Sequence, residues 1–189
     1  MTIIVALRSD DAVWVGSDGR ISDFGETATD DFQKWRRTAK GIWWASAGHI
    51  RVYTMMETNR EKLSEFLTCL ELCEGFRKMV TDDGWIPCQG ENRGGPVDYG
   101  FYLIVTDGRE ILHYHGDGSM VRHEVTGDFC AYGSGKPYAM GAISLARRYV
   151  DYQMSNDEDC EEIVEGALQA ACDYDQGCGG TFFIEKVVA

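Results

Sequence analysis

No apolar stretch in this 189-residue sequence approaches the roughly 18 residues that a membrane span needs. The opening Met1-Thr2-Ile3-Ile4-Val5-Ala6-Leu7-Arg8 has a short apolar run and no basic lead, unlike a secretory signal. Basic residues are scarce: 18 Lys and Arg stand against 31 Asp and Glu, giving a formal net charge of −13. Nucleic acid and anionic membrane both call for a basic surface, so neither is expected as a partner. There is no CxxC pair and no Cys/His spacing of a zinc site. The seven cysteines, Cys69, Cys73, Cys88, Cys130, Cys160, Cys172 and Cys178, are scattered and odd in number, so reduced and mostly buried thiols are expected rather than a disulfide scaffold. These absences lead us to expect a cytoplasmic protein. What is present is 44% hydrophobic and 26% charged, enough for one domain over 1–189 with a packed core.

The pattern along the chain changes period several times. Thr2 to Leu7 and Ala12 to Val15 are apolar on consecutive positions, as in strands covered on both faces, with Asp10-Asp11 as the turn. A polar stretch with Gly19 and Gly25 follows, and Ile42-Trp43-Trp44-Ala45 reads as another buried strand. Val52, Met55, Met56, Leu63, Phe66, Leu67, Leu70 and Phe76 recur at helical spacing, as one long helix or two. Residues 81–100, rich in glycine, read as a loop excursion. A meander is expected next: strands at Phe101 to Val105, Ile111 to His115, Met120 to Val125 and Phe129 to Tyr132, with turns at Asp107-Gly108 and Asp117-Gly118. Gly133-Ser134-Gly135 leads into a small-residue helix, and Ser155-Asn156-Asp157-Glu158 reads as a capping box for a second. Thr181 to Val187 is a final strand. Strands, helices, strands, helices and strand in that order indicate an α+β arrangement with two sheets between helical layers.

The chemistry can start at the front of the chain. Removal of Met1 makes Thr2 the first residue, which then carries a hydroxyl and a free α-amine. The amine, with a reference pKa of about 7.7–8.0, is a base the hydroxyl otherwise lacks. Asp18, in Gly16-Ser17-Asp18-Gly19-Arg20, and Lys34, before Trp35-Arg36-Arg37, form a second pair. A buried Lys beside the nucleophile would lower the hydroxyl pKa, and Asp18 would keep it charged. Ala47-Gly48 before a helix can offer a backbone N–H to an oxyanion. Each feature alone has an ordinary explanation: Thr commonly follows Met, Asp ends strands, Lys sits in solvent, and Gly makes tight turns.

In combination they resemble the proteasome β-subunit family, which includes the bacterial proteasome-like peptidase of the heat-shock locus. The order Thr2…Asp18…Lys34…Gly48, then Gly133-Ser134-Gly135 and Asp175-Gln176-Gly177-Cys178-Gly179-Gly180, covers nearly the whole chain. The resemblance implies a four-layer αββα sandwich of the N-terminal-nucleophile hydrolase type. It implies Thr2 as nucleophile, its amine as proton acceptor, Lys34 as activating charge held by Asp18, and the Gly48 N–H as oxyanion donor. Ser134 and Asp175 would orient the amine and its water, while Cys178 stands where the family has a serine, giving a weaker hydrogen bond. The Ser22 backbone would bind extended peptide, and Ile21, Phe32, Ser46 and Ile50 fall near the side-chain specificity pocket. The excursion between Gly84 and Gly100 has no counterpart in the shortest members.

The expected activity is a threonine endopeptidase needing no metal or organic cofactor. It would act on peptides or unfolded protein within a homo-oligomeric ring, often stacked in pairs, with an ATP-driven unfoldase as a plausible partner. Two alternatives keep the fold: an amidase for small-molecule amides, and a silent ring or scaffold subunit with Met1 retained. A metal-binding protein using His113 and His115, two apart on a strand, ranks below both, since no third ligand is evident.

Overall fold

A computed structural model describes residues 2–23, 26–48, 50–82, 101–116, 118–149 and 156–189. Its first hairpin joins β1 (Ile3–Arg8) to β2 (Ala12–Ser17), and the turn is closed by Ser9, whose Oγ donates to the Ala12 carbonyl at 3.0 Å. β10 (Phe129–Gly133) pairs with the outer side of β1 and β11 (Phe183–Val188) with that of β2, giving an antiparallel sheet β10-β1-β2-β11. β3 (Ile21–Asp23) and β4 (Glu26–Thr29) form a separate two-stranded ribbon. The second large sheet runs β5 (Trp35–Arg37), β6 (Trp43–Gly48), β7 (Phe101–Thr106), β8 (Ile111–His115) and β9 (Met120–His123), all antiparallel. The helices are α1 (Ile50–Thr58), α2 (Arg60–Leu63), α3 (Cys69–Asp82), α4 (Lys136–Tyr149) and α5 (Asp157–Tyr174).

Strand alternation explains the layering. In β1, Ile3, Val5 and Leu7 pack under Ile143, Ile163, Val164 and Leu168 of α4 and α5, whereas Ile4 and Ala6 point the other way. There they meet Trp43, Ala45, Ile104 and Ile111 of the second sheet. On that sheet's far face, Trp44, Leu103, Val105, Leu112 and Tyr114 are covered by Val52, Met56, Leu72, Phe76 and Val80. The result is helices, sheet, sheet, helices, with three apolar interfaces. Both faces of β1 and β2 are buried, which is why their apolar residues run consecutively. Each large aliphatic side chain so enclosed contributes about 1.5–3 kcal/mol.

The αββα sandwich expected from the sequence is present, and several local details differ. The expected one or two helices after Gly48 are three, because α1 ends at Thr58 and the chain turns twice before Cys69. Strands β3, β4 and β5 occupy what read as a polar stretch. The capping box led by Ser155 is replaced by an Asn156 cap, whose Oδ1 accepts from the Glu158 N–H at 3.1 Å; Ser155 lies outside the described residues. β9 stops at His123 and β11 begins at Phe183, each shorter at one end than the apolar pattern. The 83–100 part of the excursion, Cys88 and Asp117 lie outside the described residues. Cys69 and Cys73 are buried in the α3 interface, as expected for core thiols. Among the described residues no helix is long and apolar enough to cross a membrane.

His113 faces the inter-sheet layer at 7% exposure, and its Nε2 has no hydrogen-bond partner among the described residues. Burial pushes its pKa down to about 4, helped by His115, Lys136 and His123. A depressed folded value means that the unfolded chain takes up a proton near pH 6.5 while the folded chain resists until about pH 4. The stability tied to His113 is therefore complete above pH 6.5 and lost as pH falls through that window. Urea unfolding should show a loss on the order of 2–3 kcal/mol from this group between pH 7 and pH 4. His113→Phe should flatten that acid slope; an identical slope in the variant would contradict the assignment.

Candidate active site

The β1–β2 register sets one buried carboxylate beside the front of the chain. Ile4 faces Ser17, so Asp18 falls just past the end of β2 and opposite Ile3, whose carbonyl accepts from the Asp18 N–H at 3.3 Å. The Asp18 side chain is fully buried. Its Oδ1 accepts from Thr2 Oγ1 at 3.0 Å, from the Ile3 N–H at 2.8 Å and from Lys34 Nζ. Its Oδ2 accepts from the Gly179 N–H at 3.1 Å. Lys34 is 5% exposed and Thr2 8%, so the ion pair is screened from solvent. Burial pulls the Lys34 ammonium below the usual lysine value, with Asp18 opposing. The sequence reading had Asp18 keep this lysine charged; Asp18 does act in that direction, and desolvation is the larger, opposing influence.

A second group lies on the other side of Thr2. Gly133 has a φ of +120°, open to glycine, and a Cβ there would sit 1.9 Å from the Thr2 carbonyl oxygen. Beyond it, Ser134 Oγ is 3.9 Å from Cys178 Sγ, and that thiol donates to Asp175 Oδ2 at 3.7 Å. Asp175 Oδ1 accepts from the Gly177 N–H at 2.8 Å. Burial pushes the Asp175 carboxyl up, but hydrogen bonds from Ser134, Gly177 and Cys178 outweigh it and leave the group below its ordinary value. Burial likewise raises the Cys178 thiol to about 12, aided by Asp18 and Asp175, so it stands as a neutral donor.

Sequence reasoning assigned no role to Arg20, which ties the two groups together. Its Nε pairs with Asp30 Oδ1 at 2.7 Å, and its Nη1 donates to the carbonyls of Gln176 and Cys178 at 3.2 and 3.1 Å. The N–H groups of Gly19 and Arg20 both donate to the Gly179 carbonyl. An arginine two residues after Asp18, with a glycine-rich loop elsewhere in need of donors, was the signal available.

The remaining expected positions spread over the second sheet and the ribbon. Gly48 ends β6, opposite Phe101 in register, on the other sheet from β1, which Thr2 immediately precedes. Ile21 faces Thr29 in the ribbon and Ser22 faces Thr27 across a register shift. Ser46 is half-buried in β6 opposite Leu103, and Ile50 begins α1. Phe32 precedes Lys34 by two residues, and its ring meets Tyr53 of α1 edge-on at 4.9 Å. Tyr53, which the sequence reading missed, also packs on Trp44 at 5.7 Å and lies under the Arg36 guanidinium. Among the described residues, no group of three or more His, Cys, Asp or Glu is arranged to hold a metal ion.

No family profile matches the chain. It is 25% identical to the ATP-dependent protease subunit HslV of Cytophaga hutchinsonii, over 100% of this chain and 97% of that protein. Among solved structures, eukaryotic HslV from Trypanosoma brucei matches with a TM-score of 0.70 and 24% identity over 100% of each chain. Thiobacillus denitrificans BPH matches with a TM-score of 0.75 and 14% identity, over 99% of this chain and 98% of that one. The same protein in complex with epoxomicin matches at 0.73 and 15%, over the whole of both chains. The resemblance read from the motifs thus extends over the full chain, and the fold is that of the proteasome-like N-terminal-nucleophile proteins.

The buried pair sets a testable energetic asymmetry. Lys34→Met should destabilise the fold by about 3–5 kcal/mol, because Asp18 is left buried without its counter-charge. Adding Asp18→Asn should recover a large part of that loss in urea denaturation. A double variant as unstable as the sum of the single changes would show that the two groups do not act as a unit.

Proposed function

We propose that the chain is a threonine-type peptidase, acting as one domain over 1–189 once Met1 is removed. The observation that carries this reading is the set of donors on Asp18. One buried carboxylate oxygen holds the Thr2 hydroxyl and the Lys34 ammonium together at the front of the chain. A hydroxyl at that place, beside a cation whose own proton is loosened by burial, has the two things nucleophilic attack needs.

In the proposed reaction, Thr2 Oγ1 attacks a peptide carbonyl and its proton passes to the α-amine of the same residue. The oxyanion that forms is met by the Gly48 N–H. Collapse expels the amine of the leaving peptide, which takes the proton, and leaves an ester on Thr2. Water, deprotonated by the same α-amine, then attacks the ester, and the acid product leaves as Thr2 Oγ1 regains a proton. Ser134, Cys178 and Asp175 orient the amine and this water, with a thiol in one place of a hydroxyl. Ser22 supplies backbone hydrogen bonds to an extended substrate, and Ile21, Phe32 and Ser46 line its side-chain pocket, to which we add Tyr53. No cofactor enters these steps.

The setting we infer is a cytoplasmic homo-oligomeric ring, fed with unfolded protein by an ATP-driven unfoldase. The HslV of Cytophaga hutchinsonii is by its name a subunit of an ATP-dependent protease, and BPH is seen with epoxomicin bound. Both support a peptidase over the small-amide amidase and over the silent scaffold.

Thr2→Ala should abolish hydrolysis of an unstructured fluorogenic peptide while leaving folding and assembly intact. Undiminished turnover in that variant rules the mechanism out. Cys178→Ser should keep kcat within about threefold of the parent, since the hydroxyl can make the same hydrogen bonds. A loss of a hundredfold in the serine variant would reveal a separate chemical role for the thiol.

A further inference from the structure

The proposed nucleophile and the proposed oxyanion donor lie at different sheets: Thr2 immediately precedes β1, and Gly48 ends β6. Their separation depends on what holds the two sheets together at this end. One tie is ionic, from Lys34 ahead of β5 to Asp18 after β2. A second tie is aromatic. The rings of Tyr132 on β10 and Tyr102 on β7 stack with centroids 3.6 Å apart and planes 27° apart. Register places each ring beside one half of the site. Tyr132 faces Ile4 and immediately precedes Gly133, against which the Thr2 backbone is packed. Tyr102 faces Ala47, next to the pair formed by Phe101 and Gly48.

Three further side chains pack around the stack. His115 meets Tyr102 edge-on at 4.8 Å, His113 lies 5.4 Å from Tyr132, and the Lys136 ammonium sits 5.7 Å over the Tyr132 ring. At a centroid distance of 3.6 Å the two ring faces are in van der Waals contact and can approach no further, a minimum spacing that a flexible aliphatic pair lacks. Two flat rings therefore fix a distance as well as filling a volume.

We propose that Tyr102 and Tyr132 are positioning residues whose stack sets the span between Thr2 at one sheet and Gly48 at the other. This rests on the peptidase reading above. Neither ring is among the residues proposed to bind substrate, so the effect falls on the chemical step, where displacement by about 1 Å can cost about a hundredfold.

The test compares full-length variants in peptide hydrolysis and in amide hydrogen exchange. Tyr132→Leu is expected to lower kcat by about 10- to 100-fold with KM within about twofold, while Tyr132→Phe stays within about threefold of the parent. Tyr102→Leu, on the opposite sheet, should give the same loss, and the double Leu variant no more than either alone, because both remove one contact. Independently of turnover, the Ile3 and Asp18 amides, which bond to Asp18 and Ile3, should lose protection in the Leu variants and keep it in the Phe variant. Where a Leu variant fails to fold, Met, which fills the volume without a planar ring, takes its place. Parental kcat in the ring-less variants, a loss carried by KM, an equal loss in Tyr132→Phe, or unchanged exchange overturns the proposal. A parent protein that never cleaves peptide sinks the peptidase reading instead, and the exchange comparison still decides whether the stack positions Thr2.

Discussion

The structure of this site depends on one carboxylate removed from water. Burying an ionised Asp carries an effective penalty of several kcal/mol unless its oxygens are fully used. Asp18 meets that condition with four donors from three separated stretches of chain: Thr2 and Ile3, Lys34, and Gly179. None of the three can move without leaving a buried oxygen or ammonium unpaired. The front of the chain, the segment ahead of β5 and the loop after α5 are thereby fixed relative to one another. Arg20 reinforces the same junction from outside by holding the Gln176 and Cys178 carbonyls.

In the proposed reaction the two sheets have separate parts. The first sheet brings the end of β2 to the start of β1, which puts Asp18 against Thr2. The second brings Lys34 and Gly48, one ahead of its edge strand and the other at the end of its neighbour. In the proposed reaction the activating charge is the Lys34 ammonium, 5% exposed at this junction. Burial works on it in a useful direction, loosening a proton that Asp18 alone would tighten. The thiol of Cys178, held neutral between Asp175 and Ser134, adds one donor without adding charge.

Much of this was legible before any coordinates, for identifiable reasons. Consecutive apolar residues in Thr2 to Leu7 and Ala12 to Val15 pointed to strands buried on both faces, the order of strands and helices to two sheets between helical layers, and the resemblance to the four-layer sandwich. Thr2, Asp18 and Lys34 could be grouped because the spacing of the motifs matched a known arrangement, and they do meet around one oxygen. The misses were in polar sequence. β3 and β4 are short and carry little apolar signal, so their pairing comes from tertiary context rather than from pattern. Arg20 and Tyr53 act through partners far along the chain, Gln176 and Cys178 for one and Phe32 and Trp44 for the other, and single residues do not announce distant partners. The balance between burial and Asp18 at Lys34 likewise depends on how deeply the ammonium is enclosed, which no spacing states.

The proposed mechanism requires a hydroxyl and a free amine on the same residue, Thr2, to act together. A peptide epoxyketone tests this most directly, because its ketone takes the hydroxyl and its epoxide ring is opened by the amine, so a doubly linked adduct needs both. Intact and peptide-level mass spectrometry of the treated natural protein should find a chain beginning at Thr2, carrying one reagent at that residue with all of its atoms retained. A chain still beginning at Met1 and carrying no reagent would contradict the account, leaving the architecture without the chemistry.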